Sequence, residues 1–225
     1  MERNGTQTRR TGPGGLPLAV CVAAAMVAAG CRQDSDGATA AAVSTTGRPQ
    51  AEIDPEYPVV RIDTNRGAIT VRLNAVAAPG TVRNFLNYLN DGFYKNTLIH
   101  YAAADTMIVG GGYSADGRLK PTLPPIRNEA HNGLKNTRGA IAMARDAAAG
   151  IDSATSQFFI NLADAPSLDH RGESPEEYGY CVFGEVIDGL EVADQISRSP
   201  TRDLGGDLVR SPDPPVVIRS INYVR

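Results

Sequence analysis

The sequence predicts a mainly-β domain, a sandwich or a barrel, over residues 58–225, and three observations lead there. Short runs rich in Val, Ile and Thr recur between turn residues. The connections are dense in Gly and Pro, of which the chain has 23 and 15. Only two stretches carry a helical period.

Taken in order, Val59-Val60-Arg61-Ile62 and Ala68-Ile69-Thr70-Val71-Arg72-Leu73 read as strands joined by Asn65-Arg66-Gly67, a hairpin-turn signal. Pro79 opens a helix in which Val82, Phe85, Leu86 and Leu89 recur at helical spacing, and Asn90-Asp91-Gly92 stops it. Thr97–Tyr101, Met107–Val109, Ala140–Ala144, Gln157–Leu162 and Cys181–Val186 read as further short strands, and Leu190–Ile196 as a second short helix. Val216–Val224 closes the chain as a strand in which Val217, Arg219, Ile221 and Tyr223 alternate against Val216, Ile218, Ser220, Asn222 and Val224.

Residues 1–30 read as a signal peptide. Arg9-Arg10 supplies a positive flank, and Leu16–Ala29 is apolar apart from Pro17. Such a run is shorter than the about 20 residues that span a bilayer, but it suits a secretory core of roughly 7–15. Ala28-Ala29-Gly30-Cys31 is similar to the cleavage and lipidation site of bacterial lipoproteins, in which the Cys becomes the acylated N-terminus. Ala28 departs from that pattern, which more often has Leu, and ordinary cleavage after nearby small residues is the alternative. Arg32 rather than Asp after Cys31 favours outer-membrane sorting by the same analogy. The expectation is an exported cell-envelope lipoprotein facing the periplasm, anchored in the membrane through Cys31. Residues 31–57, mostly Ala, Ser, Thr, Gly, Asp and Gln, bury too little apolar surface to fold and read as a flexible linker. A coil of that length spans about 25–30 Å root-mean-square.

Charge and reactive side chains exclude several function classes. The formal net charge is −3, and the first thirty residues carry Arg3, Arg9 and Arg10 against Glu2, so the remainder is more acidic still. With no Lys/Arg cluster on one segment there is no electrostatic reason to bind a polyphosphate, and no nucleic-acid partner is expected. Of the three cysteines, Cys21 lies in the segment expected to be removed and Cys31 would carry lipid. Cys181 is left without a disulfide partner and reads as a small buried hydrophobe. His100, His131 and His170 are scattered and no Cys pair has ligand spacing, so neither a metal nor another cofactor is expected. Gly110-Gly111-Gly112 lacks the phosphate-loop and dinucleotide spacings. Ser156 and His100 could be composed into a hydrolase triad, but Ser156 lacks the G-x-S-x-G surround.

The strongest motifs resemble one family. Ser156-Gln157-Phe158-Phe159-Ile160-Asn161 is similar to the S-Q-F-F-I signature of cyclophilins. Asn128–Gly139 and Ala142-Met143-Ala144-Arg145 resemble a stretch and the strand after it in the bacterial branch. So do Arg171-Gly172-Glu173-Ser174 and Gly179–Val186. Ala78-Pro79, Thr81-Val82, Asn84-Phe85-Leu86 and Gly92-Phe93-Tyr94 match the first helix. The motifs occur in order over about three quarters of the chain. The resemblance implies a closed eight-stranded antiparallel β-barrel capped by two helices, with the site on its outer face. A monomer is the expectation. It implies peptidyl-prolyl cis-trans isomerisation of proline-containing polypeptides, without a cofactor.

In that family an Arg guanidinium donates a hydrogen bond to the nitrogen of the twisted amide, a Gln positions the peptide backbone, and an aromatic-lined pocket grips the proline ring. Here Ile99-His100-Tyr101 stands for Phe-His-Arg, and Asp105-Thr106-Met107-Ile108-Val109-Gly110-Gly111 for Gly-Phe-Met-x-Gln-Gly-Gly. The catalytic Arg position is therefore Tyr101, beside His100. The pocket Phe has become Thr106, the backbone-holding Gln has become Val109, and a peptide-contacting aromatic has become Ser167. Met107, Ala144, Arg145, Gln157, Phe159, Leu168 and Tyr180 keep the substrate-binding set. Gln157, Phe158 and Phe159 also read simply as barrel-wall packing. The expectation is an isomerase for exported proteins with weakened catalysis. The alternatives are a prolyl-peptide-binding or chaperone module tethered to the envelope, and an envelope lipoprotein using the barrel only as a scaffold.

Overall fold

The computed structural model describes residues 53–224. The signal-peptide, lipid-anchor and most of the linker expectations lie outside the described residues. The described residues form ten strands and two α-helices: β1 (Val59–Thr64), β2 (Gly67–Leu73), α1 (Pro79–Asn90), β3 (Thr97–Ala103), β4 (Met107–Ser114), β5 (Ala140–Met143), β6 (Phe158–Asn161), β7 (Val182–Asp188), α2 (Leu190–Ser197), β8 (Thr201–Arg202), β9 (Ser211–Pro212) and β10 (Val216–Tyr223). Eight of the strands close into an antiparallel barrel in the order β1-β10-β3-β4-β6-β5-β7-β2, β2 pairing back onto β1, while β8 and β9 form a separate two-stranded sheet. Closure leaves no barrel edge to pair with another chain. Among the described residues no helix is long and apolar enough to cross a membrane.

Alternation sorts each barrel strand into an inner and an outer face. Val60 and Ile62 of β1 and Ile69, Val71 and Leu73 of β2 are buried in the main core, with Arg61 exposed between the first pair. α1 lies against this core through Val82, Phe85 and Tyr88. The Phe85 ring sits 5.1 Å from Tyr94, 5.7 Å from Phe158 and 5.4 Å from Phe183, joining the helix to the barrel interior through aromatic contacts. Pro79 opens the helix, but no local side chain caps it. Instead the Glu129 carboxylate, from a distant loop, accepts from the Gly80 N–H at 3.0 Å and the Thr81 N–H at 2.8 Å. It satisfies first-turn donors that have no partner within the helix.

Two sequence expectations are corrected and one pair of strands is new. β4 runs on to Ser114 rather than stopping at Val109, because Gly110, Gly111 and Gly112 continue the strand. At Gly112 a Cβ would lie 2.6 Å from Gln157 Cδ, so the missing side chain is what lets Gln157 lie across the strand. In β10 the strict alternation fails. Val216, Ile218 and Ile221 face the core, because a bulge opposite Asp63 and Thr64 leaves Arg219 between the paired Ser220 and Ile218. The β8–β9 pair was not foreseen at all, since each strand is two residues long.

Candidate functional site

The register places five side chains in one row across the barrel's outer face. Tyr101 opposes Val109, Val109 opposes Phe159, Phe159 opposes Ala142, and Ala142 opposes Val182. Directly opposed residues share a face, and the neighbouring row Ile108, Ile160 and Ile141 points into the main core. The outer row forms a second apolar cluster in which Ala140, Ala142, Phe159 and Val182 are buried, with Met107, Val109, Leu134, Ala144, Leu168 and Tyr180 packed around them and half-buried. The result is an apolar floor whose surrounding members stay partly exposed.

Phe159 and Phe158 divide the S-Q-F-F-I run between the two faces. Phe158 enters the core against Phe85 and Tyr94, while Phe159 is 4% exposed on the outer row and meets the Tyr180 ring edge-on at 5.7 Å. The side wall carrying Leu168 and Tyr180 is fixed by backbone and amide contacts. The Tyr180 N–H donates to Leu168 O at 2.9 Å, and Asn136, buried, donates through Nδ2 to Leu168 O at 3.1 Å. Asn161 Nδ2 in turn donates to Asn136 Oδ1 at 3.2 Å, tying this wall to β6. Ala144 and Gln157 continue the β5–β6 pairing beyond the strands, the Ala144 N–H donating to Gln157 O at 2.9 Å.

Two guanidinium groups border the floor. Arg145 lies over the Tyr180 ring, its Cζ 5.0 Å from the centroid, and donates through Nε to Gly179 O at 3.1 Å and through Nη2 to Pro175 O at 2.6 Å. At the other end Arg210 approaches the Tyr101 ring, its Cζ 5.9 Å from the centroid. Arg210 Nε donates to Ala102 O at 3.1 Å, and its own carbonyl accepts from the Ala102 N–H at 3.0 Å.

Most of the residues singled out in the sequence meet here. Met107, Val109, Ala144, Phe159, Leu168 and Tyr180 share the outer cluster, and Tyr101 joins it by register. Thr106 sits in the exposed turn between β3 and β4, its hydroxyl donating to Ala104 O at 3.1 Å. Ser167 is exposed beside Leu168. His100 is not on the row: a bulge in β3 between Ile99 and Tyr101 turns it aside, where it is buried with its ring 4.8 Å from that of Tyr113. Ser156 is wholly buried, which closes the hydrolase composition. Sequence reasoning missed Ala140, Ala142, Leu134 and Val182 in the floor, Asn136 behind the wall, and Arg210. The first four share the outer face only once the register is known, and Arg210 lies in a connection with no periodic pattern.

A cleft of about 530 Å³ adjoins the floor on the β2–β7 side, sharing Leu134, Ala140 and Val182. Its cations are engaged, Arg72 with Glu185 and Arg138 with Asp194. Among the described residues no group of three or more His, Cys, Asp or Glu could hold a metal ion. The buried thiol of Cys181 is pushed up to about 11, burial outweighing the Thr81 hydroxyl that favours its thiolate.

A closed eight-stranded antiparallel barrel with two helices and an apolar cluster on its outer wall is the architecture of the cyclophilin class. The family is shown by comparison. The family model described as cyclophilin type peptidyl-prolyl cis-trans isomerase/CLD matches residues 59–223, and the chain belongs to this family. It is 45% identical over 166 residues to peptidyl-prolyl cis-trans isomerase A of Dickeya dadantii, covering 74% of this chain and 84% of that protein. It is 49% identical over 143 residues to peptidyl-prolyl cis-trans isomerase B of Escherichia coli, covering 64% of this chain and 86% of that one. A crystal structure of a cyclophilin from Cryptosporidium parvum, determined in the presence of the dipeptide Ala-Pro, superposes with a TM-score of 0.60 at 28% identity, over 74% of this chain and 99% of that one.

Proposed function

We propose that this peptidyl-prolyl isomerase acts on X–Pro bonds of exported polypeptides, as a monomer held to the envelope by lipid at Cys31, and that its catalysis is weakened. The observation that carries the reading is the outer row itself: an apolar floor around Phe159 is kept, while a neutral phenol, Tyr101, opposes Val109 where the family carries a guanidinium and an amide.

The chemistry is rotation about an amide. Resonance sets a barrier of about 18–20 kcal/mol, so the uncatalysed reaction takes tens of seconds or more. Rotation localises the nitrogen lone pair, and a donor placed where that lone pair develops stabilises the twisted state more than the planar one. A Tyr hydroxyl can donate once but is uncharged and lacks the planar fork. Charge-assisted bonds are about twice as strong as neutral ones. Loss of such a donor costs about 10²–10³ in rate. Some turnover remains because the carbonyl loses charge separation on twisting, and a desolvated apolar floor favours that change.

A second reading, a prolyl-peptide-binding module, is favoured by Thr106 and Ser167. Both are exposed and neither offers the ring that would flank a proline on the floor. A protease-coupled assay with a short X–Pro peptide separates the two. The isomerase reading expects acceleration above the uncatalysed rate but below that of an Arg-bearing cyclophilin. Peptide binding with no acceleration at any protein concentration gives the binding module.

A further inference from the structure

We infer that Arg210 supplies the cationic donor to the twisted X–Pro amide, taking from a different element the task that Tyr101 cannot perform. The inference rests on the isomerase reading above and deepens it.

The outer floor has one guanidinium at each end, and the two differ in what they have left to give. Arg145 directs Nε and Nη2 at the carbonyls of Gly179 and Pro175, and Nη1 lies 3.5 Å from Gly150 O. Its donors are turned into its own loop. Among the described residues Arg210 donates through Nε alone, to Ala102 O, and no carboxylate pairs with it, which leaves its Nη groups without a partner there.

Position and rigidity agree. The Arg210 guanidinium carbon is 5.9 Å from the centroid of Tyr101, the residue opposite Val109, which is opposite Phe159. A proline ring seated on Val109 and Phe159 therefore has the Tyr101–Arg210 end of the row beside its amide. The two main-chain and side-chain bonds to Ala102 fix the residue to β3, and β9 begins at the next residue, Ser211. A donor held in place before the reaction needs no reorganisation during it. Tyr101 then provides a ring face near the guanidinium rather than the proton itself, a contact at the outer limit of cation–π distance. No bond is made or broken in this step, and the Nη proton stays on Arg210 throughout.

The test measures kcat and KM of the full chain on a short X–Pro peptide for wild type, Arg210→Ala, Arg210→Lys, Tyr101→Phe and the double variant Arg210→Ala/Tyr101→Arg. Arg210→Ala should lower kcat by about 10²-fold with a smaller change in KM. Arg210→Lys should recover part of it, having the charge without the fork. Tyr101→Phe should cost less than Arg210→Ala, and the double variant should regain activity. Arg210 is exposed, so its variants should melt with wild type, which separates catalysis from folding. If wild type is active and Arg210→Ala keeps its kcat, this inference falls while the isomerase reading stands. If Tyr101→Phe costs more than Arg210→Ala, the phenol is the donor and the inference falls likewise. If wild type shows no turnover, both fall together.

Discussion

Cys181 shows how burial decides what a side chain can do. It lies behind the outer floor, 2% exposed, with Thr81 Oγ1 3.4 Å from its sulfur. Its thiol is pushed up to about 11 because burial penalises the thiolate. Folded protein should therefore leave Cys181 unalkylated by iodoacetamide at pH 8, while denaturant exposes it, as read by mass spectrometry of the peptide that contains it. The sign for stability follows: the fold prefers the protonated thiol, so this contribution is present at neutral pH and is lost as pH climbs from the usual thiol range toward 11. The thiol's burial was legible in the sequence, since it stood in an apolar run. The polar residues of the site were less so. Asn136 sits in a recognisable motif, but its hydrogen bond to Leu168 O spans 32 positions. Arg210 reaches Ala102 across 108 positions. Neither partnership leaves a local signal.

At the scale of elements, the two phenylalanines of β6 have opposite duties. Phe158 is locked among Phe85 and Tyr94 in the core, whereas Phe159 belongs to the smaller outer cluster. Phe158→Ala should cost about 3–5 kcal/mol. Phe159→Ala should cost less, because the outer cluster has an open side and can relax, yet it should weaken peptide binding far more. Denaturant melts and peptide titrations of both variants check this, and equal effects on both readouts would mean the two faces are not distinct. The eight barrel strands and both helices were legible because their periods are strong, whereas the two-residue strands β8 and β9 carry no period. The β10 phase was not, because a bulge is a property of the pair with β1 and not of β10 alone. The cap on α1 was hidden for the same reason, Glu129 lying 48 residues from Thr81.

At the scale of the whole molecule, the barrel is legible from its ordered motifs, and the site is legible where the family's positions are kept. Where they are replaced, at Tyr101, Thr106 and Val109, only the register shows what faces what. The envelope anchor concerns residues outside the described ones. Labelling with a fatty-acid analogue in a bacterium should mark the protein, and Cys31→Ser should remove the label. An unlabelled wild type would remove the lipid anchor from the proposal and leave the barrel untouched. The central claim is that the outer row is the prolyl site and that the loss of the row's own donors at Tyr101 and Val109, replaced only in part from outside it by Arg210, limits turnover. The most direct measurement is kcat/KM on a short X–Pro peptide, at one low temperature, for wild type, Tyr101→Arg and Tyr101→Arg/Thr106→Phe/Val109→Gln. The single change should gain little. It brings a guanidinium beside Arg210, and misplacement by about 1 Å costs about 10²-fold. The triple change should gain more than its parts, because residues sharing one site couple. A wild type already as fast as an Arg-bearing cyclophilin, or a triple variant that binds peptide and is no faster than wild type, would contradict the account.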